Sequence, residues 1–203
     1  MFYETQKNNH GLPHNPFKSL IIPRPIGWIT TQDDAGNVNL APYSYFNALC
    51  DNPPMIMFST TNSRSKGVVK DTLHNAETQG EFVVNMATFE LREAVNLSSA
   101  PLPKDESEVA FAKLETLPSS LVKPPRIKSS PIHLECKYYR SLQLPSNNGD
   151  TNRVVFGTVI GVHIDDVLIV NGKIDVTRIK PIARLGYMDY AVVDNIFSMQ
   201  RPL

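Results

Sequence analysis

The last third of the chain constrains the fold most. In PIHLECKYY (131–139), Ile132, Leu134, Cys136 and Tyr138 fall on one face, and His133, Glu135, Lys137 and Tyr139 on the other. A period of two is that of a half-buried β-strand. The segment NRVVFGTVIGVHID (152–165) is apolar on both faces, which predicts burial on both, with Gly157 and Gly161 allowing a bend or a close backbone approach. Asn171-Gly172 then stands between the short runs VLIV and KIDV, a type I′ hairpin signal.

Earlier segments repeat the theme. Residues 26–32 (IGWITTQ) read as a strand, DDAGN (33–37) as its turn, residues 40–49 as the returning strand, and 55–59 as a third after the turn DNPP. Asp71 is a candidate N-cap, with Leu73 and Ala76 on one helical face and Gly80 as the stop. Residues 81–87 return as a strand. Thr88 is a candidate cap for a short helix carrying Leu91, Ala94 and Val95. Many strands, few helices and no alternation of strands with long helices argue against a doubly wound sheet. They favour a mainly β fold, an antiparallel barrel, closed or partly open, with a few short peripheral helices. Sixteen prolines against ten glycines fit strand ends and extended connections. Residues 98–131, rich in Pro and Ser around the small helical patch SEVAFAKLE, read as a long surface excursion, and loops of that length are usually functional lids or disordered segments.

A chain of 203 residues fits one domain, 1–203, with residues 1–20 as an N-terminal extension. Twenty basic and twenty acidic residues give zero net charge, which argues against a nucleic-acid partner. No apolar run approaches a membrane span, and MFYETQKNNHGLPHN lacks the apolar segment of a signal peptide, so the cytoplasm is the expected compartment. Cys50 and Cys136 are too few for a disulfide framework or a structural zinc site. His10 and His14 have i, i+4 spacing, but Pro13 separates them and no carboxylate follows, so no metal site is expected. Nucleotide-binding glycine loops and the G-x-S-x-G hydrolase motif are absent from the sequence.

The strongest polar cluster is TNSRSKGVVKDT (61–72). Ser63 and Ser65, the cations Arg64, Lys66 and Lys70, and a helix start at Asp71-Thr72 could together hold a phosphate. The same composition also suits a solvated loop with an ordinary cap. Ser44, Tyr45, Phe46 and Asn47, with Ser59 and Thr60, could face the same anion if their strands are neighbours, or could simply bond the backbone at strand ends. Arg184, Tyr187 and Tyr190 could flank a planar ligand or pack at an edge.

Five segments in order, RPIGWITTQDDAGNVNLAPYSYFNALCDNPPMIMFS, KDTLHNAETQGEFVVN, PIHLECK, RLGYMDY and FSMQRP, resemble the flavin reductase-like family. The resemblance runs from about Arg24 to Pro202. It implies a Greek-key split β-barrel that binds FMN noncovalently near a homodimer interface. By position it places Thr30, Thr31 and Gln32 by the isoalloxazine, and Ser44, Tyr45, Phe46 and Asn47 along the ribityl chain and phosphate. Ser59, Ser65, Lys70, Asp71 and Thr72 complete the phosphate end, with Arg64 or Lys66 adding charge and Asp71 ordering the loop. The implied activity is hydride transfer from NADH or NADPH through FMN to flavin or another small acceptor. The alternative within the family is a flavoredoxin-like electron carrier that serves a protein partner. Neither needs a catalytic acid in the hydride step. The excursion at 98–131 is then expected to shape access to the flavin.

Overall fold

A computed structural model describes residues 1–62, 71–103, 106–147 and 149–202. The principal sheet has seven antiparallel strands: β1 (Gly27–Gln32), β2 (Val38–Tyr43), β3 (Phe46–Asp51), β4 (Pro54–Asn62), β5 (Glu81–Met86), β6 (Ile132–Leu144) and β7 (Thr151–Ile164). Their spatial order is β2-β1-β5-β6-β7-β4-β3. Two hairpins, β1–β2 and β3–β4, occupy opposite edges, and the long hairpin β6–β7 fills the middle. The helix α1 (Asp71–Gln79) carries the chain from β4 back to β5.

The two edge strands are consecutive in sequence, joined only by Ser44 and Tyr45. So short a link forces the edges together, and the sheet curls into a split barrel. This is why the expected strand at 40–49 breaks in two at Ser44: the chain there passes from one edge to the other. The Ser59 N–H donates to the Tyr45 carbonyl at 2.7 Å, and the Tyr43 and Phe58 rings meet across the barrel at 5.0 Å. Gly27 makes the joint possible, because a Cβ there would lie 2.6 Å from the Phe46 ring. Inside the barrel, Ile29, Ile56, Phe58, Phe82, Val84, Cys136 and Val155 pack with Leu73 and Ala76 of α1. Gly157 admits the Phe82 ring, which would stand 2.4 Å from an added Cβ. The ladder between β6 and β7 shifts register at Gly157 and again before Gly161, as close approach and bending require. Gly80 takes positive φ just past α1, and Asn171 and Gly172 both take positive φ in the hairpin between Ile169–Val170 and Lys173–Ile174.

Three expectations are corrected. First, the polar face of β6 is exposed only in part: Lys137 and Tyr139 are exposed as expected, but His133 is 4% and Glu135 0% exposed. The 98–131 excursion covers that face as a strap whose backbone N–H groups donate to side chains on the sheet. Ser120 and Leu121 donate to the Glu135 carboxylate at 2.8 and 2.6 Å, Lys123 to Glu81 at 2.8 Å, and Ile127 to Asn85 Oδ1 at 2.8 Å. The His133 Nε2–H donates to the Ile127 carbonyl at 2.9 Å. Farther back along the excursion, the Leu40 N–H on edge strand β2 donates to Glu108 at 3.2 Å. A second core (Ile26, Trp28, Leu40, Ala87, Val95, Ile127 and Ile182) lies under the strap, with Trp28 Nε1 donating to Ser98 Oγ.

Second, β7 is not buried on both faces. Ile160, Val162 and Ile164 are 38, 55 and 38% exposed, because no layer among the described residues covers the outward side of that end of the strand. Third, Thr88 does not cap a helix with its side chain. It bridges Pro181, and the helix α2 (Arg92–Leu97) starts after Leu91. No described helix is long and apolar enough to cross a membrane.

Candidate functional site

Strand alternation sorts the polar residues at the ends of β1 and β4. On β4, Ile56 and Phe58 point into the barrel, so Thr60 does too, and Ser59 takes the other face. Thr60 is 2% exposed. Beside it the Tyr43 hydroxyl reaches toward Thr60 and Thr72, the second residue of α1. Thr72 Oγ1 accepts from Asn39 Nδ2 at 2.6 Å, and Thr31 Oγ1 accepts from Asn75 Nδ2 at 3.2 Å and from Asn39 Nδ2 at 3.4 Å. Four hydroxyls and two amides thus converge where α1 begins. The expected site residues Arg64, Ser65 and Lys70, like Ser63 and Lys66, lie outside the described residues.

Two atoms of this cluster stand out. Tyr43 Oη and Thr60 Oγ1 are buried and make no hydrogen bond of good geometry among the described residues, although the Thr60 and Thr72 hydroxyls stand close to Tyr43 Oη. Leaving a buried hydroxyl unmatched costs about 1–3 kcal/mol, so such atoms mark a place where something else supplies the partner. Burial pushes the Tyr43 hydroxyl up to about 12, against the smaller opposing effect of the neighbouring threonine hydroxyls. It is therefore a neutral hydroxyl near pH 7, able to donate.

The other expected residues are placed as follows. Thr30 is fully buried between β2 and β5, its Oγ1 accepting from Asn85 Nδ2 at 3.0 Å. Gln32 ties the β1–β2 turn by donating to the Gly36 carbonyl at 2.9 Å. Ser44 is half-buried, and its Oγ accepts from Arg24. Tyr45 is 39% exposed, Phe46 packs over Gly27, and Asn47 is exposed with its Oδ1 bonded to the Ala48 N–H. Asp71 opens α1 and is exposed; Thr72 is buried. The structure therefore gathers Thr31 and Thr72 in the hydroxyl cluster. Ser44, Tyr45 and Phe46 sit together at the barrel joint, and Ser59 meets them through its N–H.

Sequence reasoning missed Tyr43, Asn39 and Asn75, and took Ser59 and Thr60 as one pair. The parity of Ile56, Phe58 and Thr60 was the available signal. Arg184, Tyr187 and Tyr190 form their own contact: the Arg184 guanidinium lies 4.4 Å from the Tyr190 ring centre and donates to the Tyr187 carbonyl. Burial pushes the Cys136 thiol up, and that residue packs in the core. Cys50 is exposed. Among the described residues no cluster of His, Cys, Asp and Glu could hold a metal ion.

Comparison with known proteins agrees with this architecture. An uncharacterised protein of Halalkalibacterium halodurans is 38% identical over 183 residues, covering 90% of this chain and 87% of its own. The crystal structure of nitrilotriacetate monooxygenase component B from Bacillus cereus superposes with a TM-score of 0.87 at 33% identity, covering 98% of each chain. That of the 2-nitrobenzoate 2-nitroreductase NbaA from Pseudomonas fluorescens gives 0.85 at 25% identity, covering 100% of this chain and 96% of its own. The model of the flavin reductase like domain matches residues 19–176, and with that match and the split barrel in hand, the chain belongs to the flavin reductase-like family.

Proposed function

We propose that the chain is an FMN-dependent oxidoreductase that takes a hydride from NADH or NADPH and delivers its electrons to flavin or another small acceptor. The observation that carries the reading is the pair of buried, unmatched hydroxyls on Tyr43 and Thr60, set among Thr31, Thr72, Asn39 and Asn75 at the start of α1. A phosphate fits this donor set, because hydroxyl and amide donors beside a helix start match its acceptor oxygens.

In this reading Tyr43, Thr60 and Thr72 donate toward the phosphate end, and Thr31, Asn39 and Asn75 hold those hydroxyls in place. Arg64, Ser65 and Lys70, outside the described residues, add charge and donors in this reading, and Asp71 orders the first turn of α1. Ser44, Tyr45, Phe46 and Asn47, with Ser59, line the path from the phosphate toward the ring, and Thr30 and Gln32 fix strand β1 beside it. When bound, FMN supplies the redox chemistry, accepting two electrons and a proton from the nicotinamide. The chain's own task is orientation: a rigid barrel wall on one side and an open side for the nicotinamide.

The exposed outward stripe of β7, together with Leu20, Ile21, Ile22, Phe197 and Met199, which are 48–85% exposed, supports a homodimer as the working form. Two free cysteines suit the cytoplasm.

The test is the visible spectrum of the purified protein with FMN, before and after anaerobic NADH and NADPH. Flavin bands that shift on binding and bleach with one nicotinamide are expected. Bound flavin that bleaches only with dithionite would reassign the chain to electron transfer with a protein partner. Failure to bind FMN in a titration would overturn the site.

A further inference from the structure

Between the returning strap and the end of the β6–β7 hairpin lies a cavity of about 420 Å³. Arg126 and Lys128 of the strap line it, together with His133 of β6 and with His163 and Asp165 at the end of β7. Arg126 and Lys128 flank Ile127, which is fully buried, so this extended segment carries both cations on one side. The Arg126 guanidinium donates to the Pro118 carbonyl through Nε and Nη2, at 3.3 and 3.2 Å, and enters none of the ion pairs among the described residues. Lys128 Nζ meets Glu115 at 2.6 Å, an exposed pair that an incoming anion can displace at little cost.

His133 adds an acceptor to this cationic wall. The residue is 4% exposed, and its Nε2–H donates to the Ile127 carbonyl. That bond leaves Nδ1 as a lone-pair acceptor, buried and unmatched among the described residues. Burial lowers the group to about 4 against the Ile127 bond, with the Arg126 and His163 charges adding to burial, so the ring is neutral near pH 7. His163 does not fill the gap: its ring centre is 6.0 Å away, and its Nε2 is taken by Glu135 at 2.5 Å. Asp165 presents a second acceptor, an exposed carboxylate that already accepts from the Val167 N–H at 3.1 Å. Two cations match a phosphate, while the two acceptors require O–H or N–H donors on the same ligand. A cavity of this volume holds a molecule of that kind.

We propose that this cavity binds a phosphorylated sugar: Arg126 and Lys128 take the phosphate, and sugar hydroxyls donate to His133 Nδ1 and Asp165. The site is separate from the hydroxyl cluster. Arg153 pairs with Thr60 in the ladder, and the run of β7 from Arg153 to His163 has a contour of about 33 Å. A free sugar phosphate and the phosphoribose of a nucleotide share this chemistry, and the probes distinguish them.

The full chain with FMN in excess is titrated by calorimetry with ribose 5-phosphate, adenosine 2′,5′-bisphosphate and inorganic phosphate, as wild type, R126Q and K128Q. At least one of the two sugar phosphates is expected to bind at one equivalent per chain. Tighter binding of ribose 5-phosphate names the free sugar, and tighter binding of the bisphosphate names a nucleotide. Each variant should weaken that ligand about tenfold, and inorganic phosphate should bind at least about tenfold more weakly than it. In ¹⁵N NMR of the wild type, the sugar phosphate should shift the His133 Nδ1 resonance. No saturable binding of either sugar phosphate, an affinity unchanged in either variant, inorganic phosphate that binds as tightly, or an Nδ1 resonance that stays in place would each overturn the proposal. If a variant does not fold, the wild-type Nδ1 resonance decides in its place.

Discussion

Glu135 should contribute more to stability than any other single carboxylate on the sheet, and the contribution should vanish in acid. Its side chain is fully buried and accepts three hydrogen bonds: from the N–H groups of Ser120 and Leu121 and from His163 Nε2 at 2.5 Å. Burial pushes its carboxyl up, yet the Ser120 N–H, His163 and the Leu121 N–H outweigh burial and hold it below the usual 4.5. A group depressed in the folded state stabilises fully above its unfolded pKa and loses that contribution as pH falls through the folded value. Glu135→Gln supplies one acceptor oxygen for three donors and turns an N–H₂ toward one of them. Losing charge-assisted bonds and leaving a donor unmatched costs roughly 2–4 kcal/mol at pH 7. A protonated carboxyl presents nearly the same pattern as the amide, so the difference should close well below pH 4.5. Urea unfolding of both proteins at pH 7 and in acid measures it, and amide exchange across residues 118–128 reports where stability is lost. A cost under about 0.5 kcal/mol at pH 7, or a gap that persists unchanged in acid, would refute the view that this carboxylate anchors the strap.

Other expectations follow from the same structure. Tyr43→Phe and Thr60→Val each remove an unmatched hydroxyl, so the flavin-free protein should be as stable or slightly more so, while FMN affinity falls about tenfold by titration; unchanged affinity would remove the cluster from the cofactor site. Gly157→Ala drives a Cβ against the Phe82 ring and should cost about 1–3 kcal/mol, read from the urea midpoint. Burial lowers His133 to about 4, with the Ile127 carbonyl opposing, so its ring resonances should not titrate between pH 7 and 5 by NMR. Because the unfolded chain takes up that proton first, stability should fall below about pH 6.5 by at most roughly 3 kcal/mol at the acid limit, and it should be fully present above.

What could be read from the sequence was local. Asn171-Gly172 announced its hairpin because two successive positive φ angles need those residue types. Gly80 announced the end of α1 for the same reason. The alternation in β6 revealed a strand, and Lys137 and Tyr139 on its polar face are exposed as expected, but His133 and Glu135 were misjudged. His133 and Glu135 serve equally well against water or against the N–H and C=O groups of a strap, and the local pattern is identical in both cases. The hydroxyl cluster was half legible. Thr31, Thr60 and Thr72 were named, but Tyr43 was not, and it meets Thr60 only because two edge strands come together, a long-range fact that Ser44–Tyr45 encodes by being short. Arg24 was passed over, since nothing around it in sequence reveals that its partners are the carbonyls of residues 18, 21 and 185.

The strap is addressed by its backbone. Glu81, Asn85 and Glu135 on the sheet hold the main chain at Lys123, Ile127 and Ser120–Leu121, and any residue but proline offers the same N–H. The route of this segment is thus stored in strands β5 and β6, while many of its own side chains are released from that duty. Such a division leaves the outer surface of the strap free to vary without rerouting it, and it marks the exposed positions of residues 118–128, apart from the buried Val122 and Ile127, as a place where new recognition sequences can be grafted onto the barrel.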